Sequence, residues 1–282
     1  MDPVIFFTFT QGAPPLPPKG PSRPVYDPPE GQVLYYPRAD ALWIDYGGKA
    51  WVCCWAGEGK IEVYYKTPSP LLVWLLSHPL FSLPLIEASR RRGLYNIHAA
   101  GLVSGGRALL FAGSSGAGKS TLTLAMLQAG LGLLGDDTVF VRGEEILAFP
   151  DEIDVTEETA DWFGSAFPAL RRPNTEGFPK KRLSLEEAGA CWVNSALPGL
   201  LVFPEVARQP TSELTSLAAE EALLALASNV LLTNPDVCRQ HLELLARLVQ
   251  HVPAYRLKTG YDLKDLARQL HSLLEEAPYA QP

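Results

Sequence analysis

The sequence predicts a mixed α/β (α+β) protein in two parts: a β-rich N-terminal module over residues 1–92 and a strand–loop–helix core over 93–282. Three observations carry this. Residues 33–65 are dense in aromatic and β-branched side chains, cut by Gly47-Gly48 and Gly57-Glu58-Gly59, as short strands joined by tight turns are. Near residue 93 the pattern changes to apolar runs, glycine-rich loops and helical periodicity. Residues 113–120 read Gly-Ser-Ser-Gly-Ala-Gly-Lys-Ser, between an apolar run and a helical one.

Element by element, residues 13–30 come first. They hold eight prolines and are expected to be an extended, polyproline-like connector without a ladder. An SH3-type ligand is the other reading of that run. Strands follow over 33–36, 41–46, 49–55 and 60–65, paired antiparallel. Residues 69–77 and 80–92 read as helices. The second ends in Arg90-Arg91-Arg92 and Gly93, a basic end that complements the helix dipole or grips a phosphate. Residues 96–103 predict a strand, 104–106 a tight turn and 107–112 a strand. After the glycine loop comes a helix over 121–129, stopped by Gly130. A short strand over 131–134 runs into Gly135-Asp136-Asp137. Residues 138–142 and 146–149 form a hairpin about Gly143. Beyond 150 the pattern is mixed, with basic residues at 171–172 and 180–182. A strand over 200–204, helices over 217–232, 236–250 and 262–275, and a strand over 255–257 complete the chain.

Composition excludes several classes. The chain has 282 residues, 47% hydrophobic and 20% charged, with room for a large core and no sign of wholesale disorder. The net charge of −7 leaves no global basic surface for phosphate backbones, so no nucleic-acid partner is expected. Cysteines at 53, 54, 191 and 238 form no CxxC pair, so neither a disulfide scaffold nor a zinc site is indicated. The first residues carry Asp2 and no early Lys or Arg, unlike a secretory signal. No apolar run approaches the ~20 residues that span a bilayer. A cytoplasmic protein without a membrane partner is expected; self-association into a homo-oligomer stays open.

The segment from Gly113 to Ser120 fits G-x-x-x-x-G-K-[ST], the Walker A phosphate loop (P-loop), with a strand before it and a helix after it. Its backbone N–H groups can turn inward around phosphates, and the helix N-terminus aims its positive end there. Gly113, Ser114, Ser115, Gly116, Ala117, Gly118, Lys119, Ser120 and Thr121 are the candidate nucleotide-binding residues. Lys119 would reach the β and γ phosphates and Ser120 would ligate Mg²⁺. Asp136 and Asp137 lie 17 and 18 residues after Lys119, at the end of the next strand. There one carboxylate could hold Mg²⁺ and the other take a proton from an attacking hydroxyl. Strand alternation implies that the two point opposite ways. His98, 15 residues before Gly113, is placed on the preceding strand, as a core histidine or a site residue.

Asn96-Ile-His-Ala-Ala-Gly, the segment from Gly113 to Thr121, and Gly130-Leu-Gly-Leu-Leu-Gly-Asp-Asp-Thr-Val together resemble the core of the HPr kinase/phosphorylase family and its shorter homologues. Leu201-Val-Phe-Pro, Glu220-Glu-Ala-Leu and Val252-Pro-Ala-Tyr-Arg-Leu read like the short homologues. The resemblance implies a P-loop kinase core of the HPr kinase/phosphoenolpyruvate carboxykinase type. It also implies ATP and Mg²⁺ as cofactors, and a protein or peptide substrate with an acceptor serine. It matches His98 to the family's histidine before the loop, and Asp136 and Asp137 to its Asp-Asp pair, one member of which is the catalytic base. The family's second signature, a Glu followed by Arg-Gly-apolar-Gly, is not visible here, which weakens phosphorylase activity and HPr itself as substrate. Asp151, Glu152 and Asp154 are candidates to complete the metal shell in its place. The basic residues of 171–182 are candidates to hold an acidic peptide, or are a solvated face. Beside the serine kinase stand two other readings: a P-loop ATPase or small-molecule kinase, and a non-catalytic nucleotide-binding partner.

Overall fold

The computed structural model describes residues 4–26, 31–69, 75, 80–174, 176 and 178–277. The chain divides into two compact units. One comprises Met1–Tyr95, Glu176–Phe178 and Val230–His241; the other comprises Asn96–Thr175, Pro179–Asn229 and Leu242–Pro282.

Period-two alternation builds the first unit. The strands β3 (Gln32–Tyr36), β4 (Ala41–Tyr46), β5 (Ala50–Trp55) and β6 (Lys60–Tyr65) form an antiparallel meander. Leu42, Ile44, Val52, Cys54, Ile61 and Val63 share one buried face, covered by the helix α1 (Ser82–Arg90) through Leu83 and Ala88. Trp43 and Cys53 are buried on the other face, with Trp51 and Trp55 packed against them. Alternate side chains of a strand point to opposite faces, so this sheet buries apolar groups on both. Two strands extend the expected four. β1 (Phe6–Gln11) pairs parallel with β6, and β2 (Arg23–Tyr26) pairs antiparallel with β3. The proline run is therefore not free of ladders: Arg23 to Tyr26 sit on the edge beyond β3, where a missing proline N–H is tolerated. The helix expected over 69–77 lies almost wholly outside the described residues.

The arginine run is consumed inside this unit. Arg90 is 1% exposed and bonds Glu87, the Leu231 carbonyl and Thr233. Arg91 pairs with Asp40 and Glu87, and Arg92 donates to the Ala56 and Ala88 carbonyls. These contacts hold all three side chains within the unit.

The second unit is built on a mixed sheet of β7 (Tyr95–Ile97), β8 (Ala99–Ser104), β9 (Arg107–Ala112), β10 (Gly132–Gly135), β11 (Val139–Arg142), β12 (Glu145–Leu147), β15 (Ser195–Val206), β16 (Glu213–Ser216) and β17 (Ala254–Thr259). The order is β10-β8-β9-β15-β12-β11-β7, with β17 beside β15 and β16 beside β17. β9, β15 and β17 run parallel, β8 is antiparallel to β9, and β10 is antiparallel to β8. The C-terminal ends of β9, β10, β15 and β17 therefore share one edge, the edge where open α/β sheets bind ligands. Helices α2 (Lys119–Gln128) and α6 (Leu263–Glu276) pack on this sheet through Leu122, Met126, Leu266 and Leu270, within a core that includes Phe111, Leu133 and Val202.

A two-stranded ladder of β13 (Ile153–Val155) and β14 (Lys181–Leu183) leads into α3 (Glu157–Phe163). The helix expected over 217–232 is only α4 (Ala219–Ala227). Glu213 to Ser216 instead pair with β17, and the Leu217 N–H bonds the Ala254 carbonyl, so the backbone ahead of α4 is committed to the sheet. α5 (Pro235–His251) crosses from one unit to the other in sequence. Among the described residues, no helix is long and apolar enough to cross a membrane.

Candidate functional site

β9 delivers the chain to the shared edge, and the glycine loop of 113–118 reverses it into α2. Gly116 and Gly118 have φ of 84° and 97°, in the region that L side chains avoid, and Gly118 is the helix N-cap. The first turn of α2 has backbone N–H groups with no intrahelical acceptor. Lys119, 6% exposed, folds back on this loop: Nζ donates to the carbonyls of Gly113 (2.8 Å) and Ser114 (3.2 Å). The Ala117 N–H also bonds Ser114 O, closing the turn. Ser115, Gly116, Gly118, Ser120 and Thr121 line an adjoining cleft of about 430 Å³, together with Lys119 and Asp137.

His98 is not on a strand. It falls between β7 and β8, where the chain leaves its place beside β11 and enters between β10 and β9. The break takes its residue out of the ladder and lets the ring face the loop. His98 Nε2 lies 3.1 Å from Lys119 Nζ, and Nδ1 lies 3.3 Å from Asp137 Oδ2. An ammonium can only donate, so the neutral tautomer that serves both contacts accepts at Nε2 and donates from Nδ1. Lys119 Nζ is itself 3.4 Å from Asp137 Oδ1, closing a three-membered polar ring.

The two aspartates do not diverge as strand alternation implies. They lie just past β10, where the chain bends, and both reach side chains of the loop and helix start. Nor is β10 the direct neighbour of β9, since β8 runs between them. Asp136 is 4% exposed, and its Oδ2 accepts from Ser120 Oγ at 2.9 Å. Burial pushes its carboxyl up to about 6, against hydrogen bonds from Ser120 and Thr123 and with help from the charges of Asp137 and Asp154. Asp137 is half exposed. Desolvation raises its carboxyl too, but the hydrogen bond from His98 and the Lys119 ammonium outweigh that and hold it well below the usual range.

Asp136 Oδ1 is buried with no hydrogen-bond partner among the described residues. An orphaned carboxylate oxygen beside a serine hydroxyl fits a hard cation such as Mg²⁺, which takes one or two carboxylates and completes its shell with water and phosphate. No group of three or more His, Cys, Asp or Glu among the described residues forms a protein-only cage. The acids suggested as further ligands serve elsewhere: Glu152 and Asp154 pair with Arg182, at 3.0 and 2.9 Å. Asp154 still lines the cleft, whereas Asp151 caps the Glu152 N–H.

The basic stretch is likewise mostly engaged. Lys181 donates to the Arg172 carbonyl and pairs with Glu157, and Arg172 pairs with Glu187. Of this stretch, Lys180 lines the cleft. Among the further lining residues, Thr159, Trp162, Arg208 and Tyr261 carried no sequence expectation. Thr159 had a signal, the Thr156-Glu157-Glu158 start of a capped helix, and Thr156 does accept from the Thr159 N–H. Arg208 had none. Its φ of 49° is unusual for a non-glycine residue and is set by the loop that follows β15.

No protein-family model matches the sequence, and no curated protein matches it. Among solved structures, the Hpr(Ser) kinase/phosphatase from Coxiella burnetii aligns with 64% of this chain and 99% of its own, at 16% identity and a TM-score of 0.34. That is a weak structural relationship, consistent with the mixed α/β fold of this chain.

Proposed function

We propose that the second unit is a P-loop phosphotransferase of the HPr kinase-like type, which uses ATP and Mg²⁺ to phosphorylate a serine hydroxyl of a protein or peptide. One observation carries the reading: a complete G-x-x-x-x-G-K-S loop, a histidine and two carboxylates of opposite electrostatic character meet at the ligand-binding edge of the sheet. In this reading Lys119 and the first-turn N–H groups of α2 bind the phosphates. Ser120 and Asp136 would hold Mg²⁺, which would neutralise charge on the transferring group.

Asp137 is ionised at neutral pH and able to accept the serine proton. The serine oxygen forms a bond to the γ-phosphorus, the bond to the ADP oxygen breaks, and the proton passes to Asp137. The Lys119 ammonium and the His98 hydrogen bond that depress Asp137 also weaken it as a base. When Lys119 turns from Asp137 to phosphate, its charge is withdrawn and basicity recovers. His98 orients the carboxylate and the lysine through its two nitrogens.

The test is transfer from γ-labelled ATP to serine-containing peptides, with and without Lys119→Ala. The variant should lose about 10³-fold in turnover, because charge stabilisation in the transition state is removed while the backbone cradle remains. Undiminished turnover refutes the assignment. Release of free phosphate without phosphopeptide makes the protein an ATPase, and nucleotide affinity without turnover makes it a binding partner.

A further inference from the structure

We propose that Trp162 and Tyr261 form a stacking wall for the nucleobase, so that the cleft takes a nucleoside triphosphate and not a bare polyphosphate. The inference rests on the reading of the glycine loop as a phosphate cradle. Both side chains line the same cleft as that loop. They are 46% and 58% exposed, although each is large and aromatic. Their ring centroids are 6.1 Å apart at 75°, an edge-to-face contact that occupies one face of one ring and leaves π surface uncovered.

Both rings are carried on anchored backbone. Trp162 sits on α3, whose Thr159 joins Thr121 of α2 through their hydroxyls at 2.9 Å. That bond ties the first turn of one helix to the first turn of the other. Trp162 lies three residues beyond Thr159, one helical turn on and on the same face. Tyr261 donates its N–H to the Gln209 carbonyl at 3.0 Å. Next to it, the Gly260 N–H bonds Ser212 Oγ, and Asp262 accepts from the Ser212 N–H and hydroxyl. A Cβ on Gly260 would lie 2.6 Å from the Thr211 carbonyl carbon and 2.8 Å from the Gln209 oxygen, so glycine is what lets these two loops touch. A wall fixed in this way loses little freedom when a flat ring stacks on it.

The acceptor is the other candidate occupant, but its hydroxyl must reach Asp137, whose partners are His98 and Lys119. Trp162 lies instead on α3, the helix whose Thr159 bonds Thr121 on the helix side of the loop. A triphosphate seated on Lys119 with its base beyond Thr121 satisfies both ends of the cleft.

The experiment compares calorimetric binding of Mg-ATP and Mg-tripolyphosphate to the wild type, Trp162→Ala, Trp162→Phe and Tyr261→Ala. Stacking on an aromatic ring typically supplies enough affinity that its loss weakens binding about tenfold. ATP should bind the wild type more tightly than tripolyphosphate does. Each alanine variant should lose about tenfold for ATP and nothing for tripolyphosphate, and Trp162→Phe should recover most of the loss. Unchanged ATP affinity in both alanine variants overturns the stacking wall. Parallel loss of both ligands also overturns it, since the aromatic pair would then be supporting the loop. Failure of the wild type to bind either ligand instead removes the phosphate-cradle reading on which the inference rests.

Discussion

Replacing Asp136 with Asn tests the electrostatics of the site without any substrate. The carboxyl is raised from 3.8 to about 6 by burial, so in the folded protein its ionisation is disfavoured. At 1.36 kcal/mol per unit, this shift corresponds to about 3 kcal/mol. The sign follows from linkage. Below pH ~4 both folded and unfolded chains carry the proton, and the group imposes no penalty. As pH rises the unfolded chain releases it first, stability falls, and the full penalty is present above pH ~6. Asn cannot ionise and escapes the penalty, although its amide nitrogen would sit where Asp136 Oδ1 lacks a partner and would add a pH-independent cost of about 1–3 kcal/mol. The signature is therefore a slope rather than an offset. Urea unfolding in EDTA should show the stability of Asp136→Asn gaining about 2 kcal/mol on the wild type between pH 4 and pH 8. Adding Mg²⁺ should stabilise the wild type above pH 6 and leave the variant unmoved. A difference between the two proteins that is flat with pH would refute the argument that burial controls this carboxyl.

Asp137→Asn should cut phosphopeptide formation by ~10²–10⁴ with ATP affinity retained; mass spectrometry and calorimetry read the two quantities, and normal transfer would end the role of Asp137 as base. Gly135→Ala places a Cβ 2.3 Å from the Thr138 carbonyl oxygen and 3.0 Å from that of Phe149, backbone atoms that cannot step aside. It should lower stability by about 1–3 kcal/mol and abolish transfer by displacing Asp136 and Asp137, and an unchanged melting temperature would contradict it. Arg90→Ala removes one of the two guanidinium groups that face Glu87, itself 0% exposed, leaves Arg91 as the remaining one, and takes the donor from the Leu231 carbonyl and Thr233. Urea unfolding should register a loss of about 1–3 kcal/mol from the buried hydrogen bonds left unmade; an unchanged midpoint would show the arginine to be dispensable.

Local chemistry made some of this protein legible in one dimension. Strands β3 to β6 announce themselves because aromatic and β-branched residues alternate between glycine turns, and each turn joins neighbours in sequence. The glycine loop is legible because its conformation needs glycine at fixed positions, Gly116 and Gly118 among them, between an apolar strand and a helix. Long-range pairing escaped the sequence. Nothing near Phe6 indicates a parallel partner at Lys60, and nothing near Glu213 indicates an antiparallel partner at Lys258. The return of Val230–His241 to the N-terminal unit is equally silent in the local pattern.

At the site, residue types and spacing singled out Lys119, Asp136 and Asp137, and the family resemblance added His98, but none of these gave the geometry. That His98 bridges Lys119 and Asp137 follows from a strand break whose cause is a change of sheet partner. That Asp136 is buried against Ser120 while Asp137 stands half exposed beside Lys119 and His98 is decided by where the end of β10 meets α2. Trp162, Arg208 and Tyr261 come from three loops and helices far apart in the chain and share a cleft only because β15 and β17 end on the same edge as β9. A sequence specifies the chemistry each residue carries; burial, charge and proximity belong to the assembled sheet, because they depend on atoms that the chain brings together only when it folds.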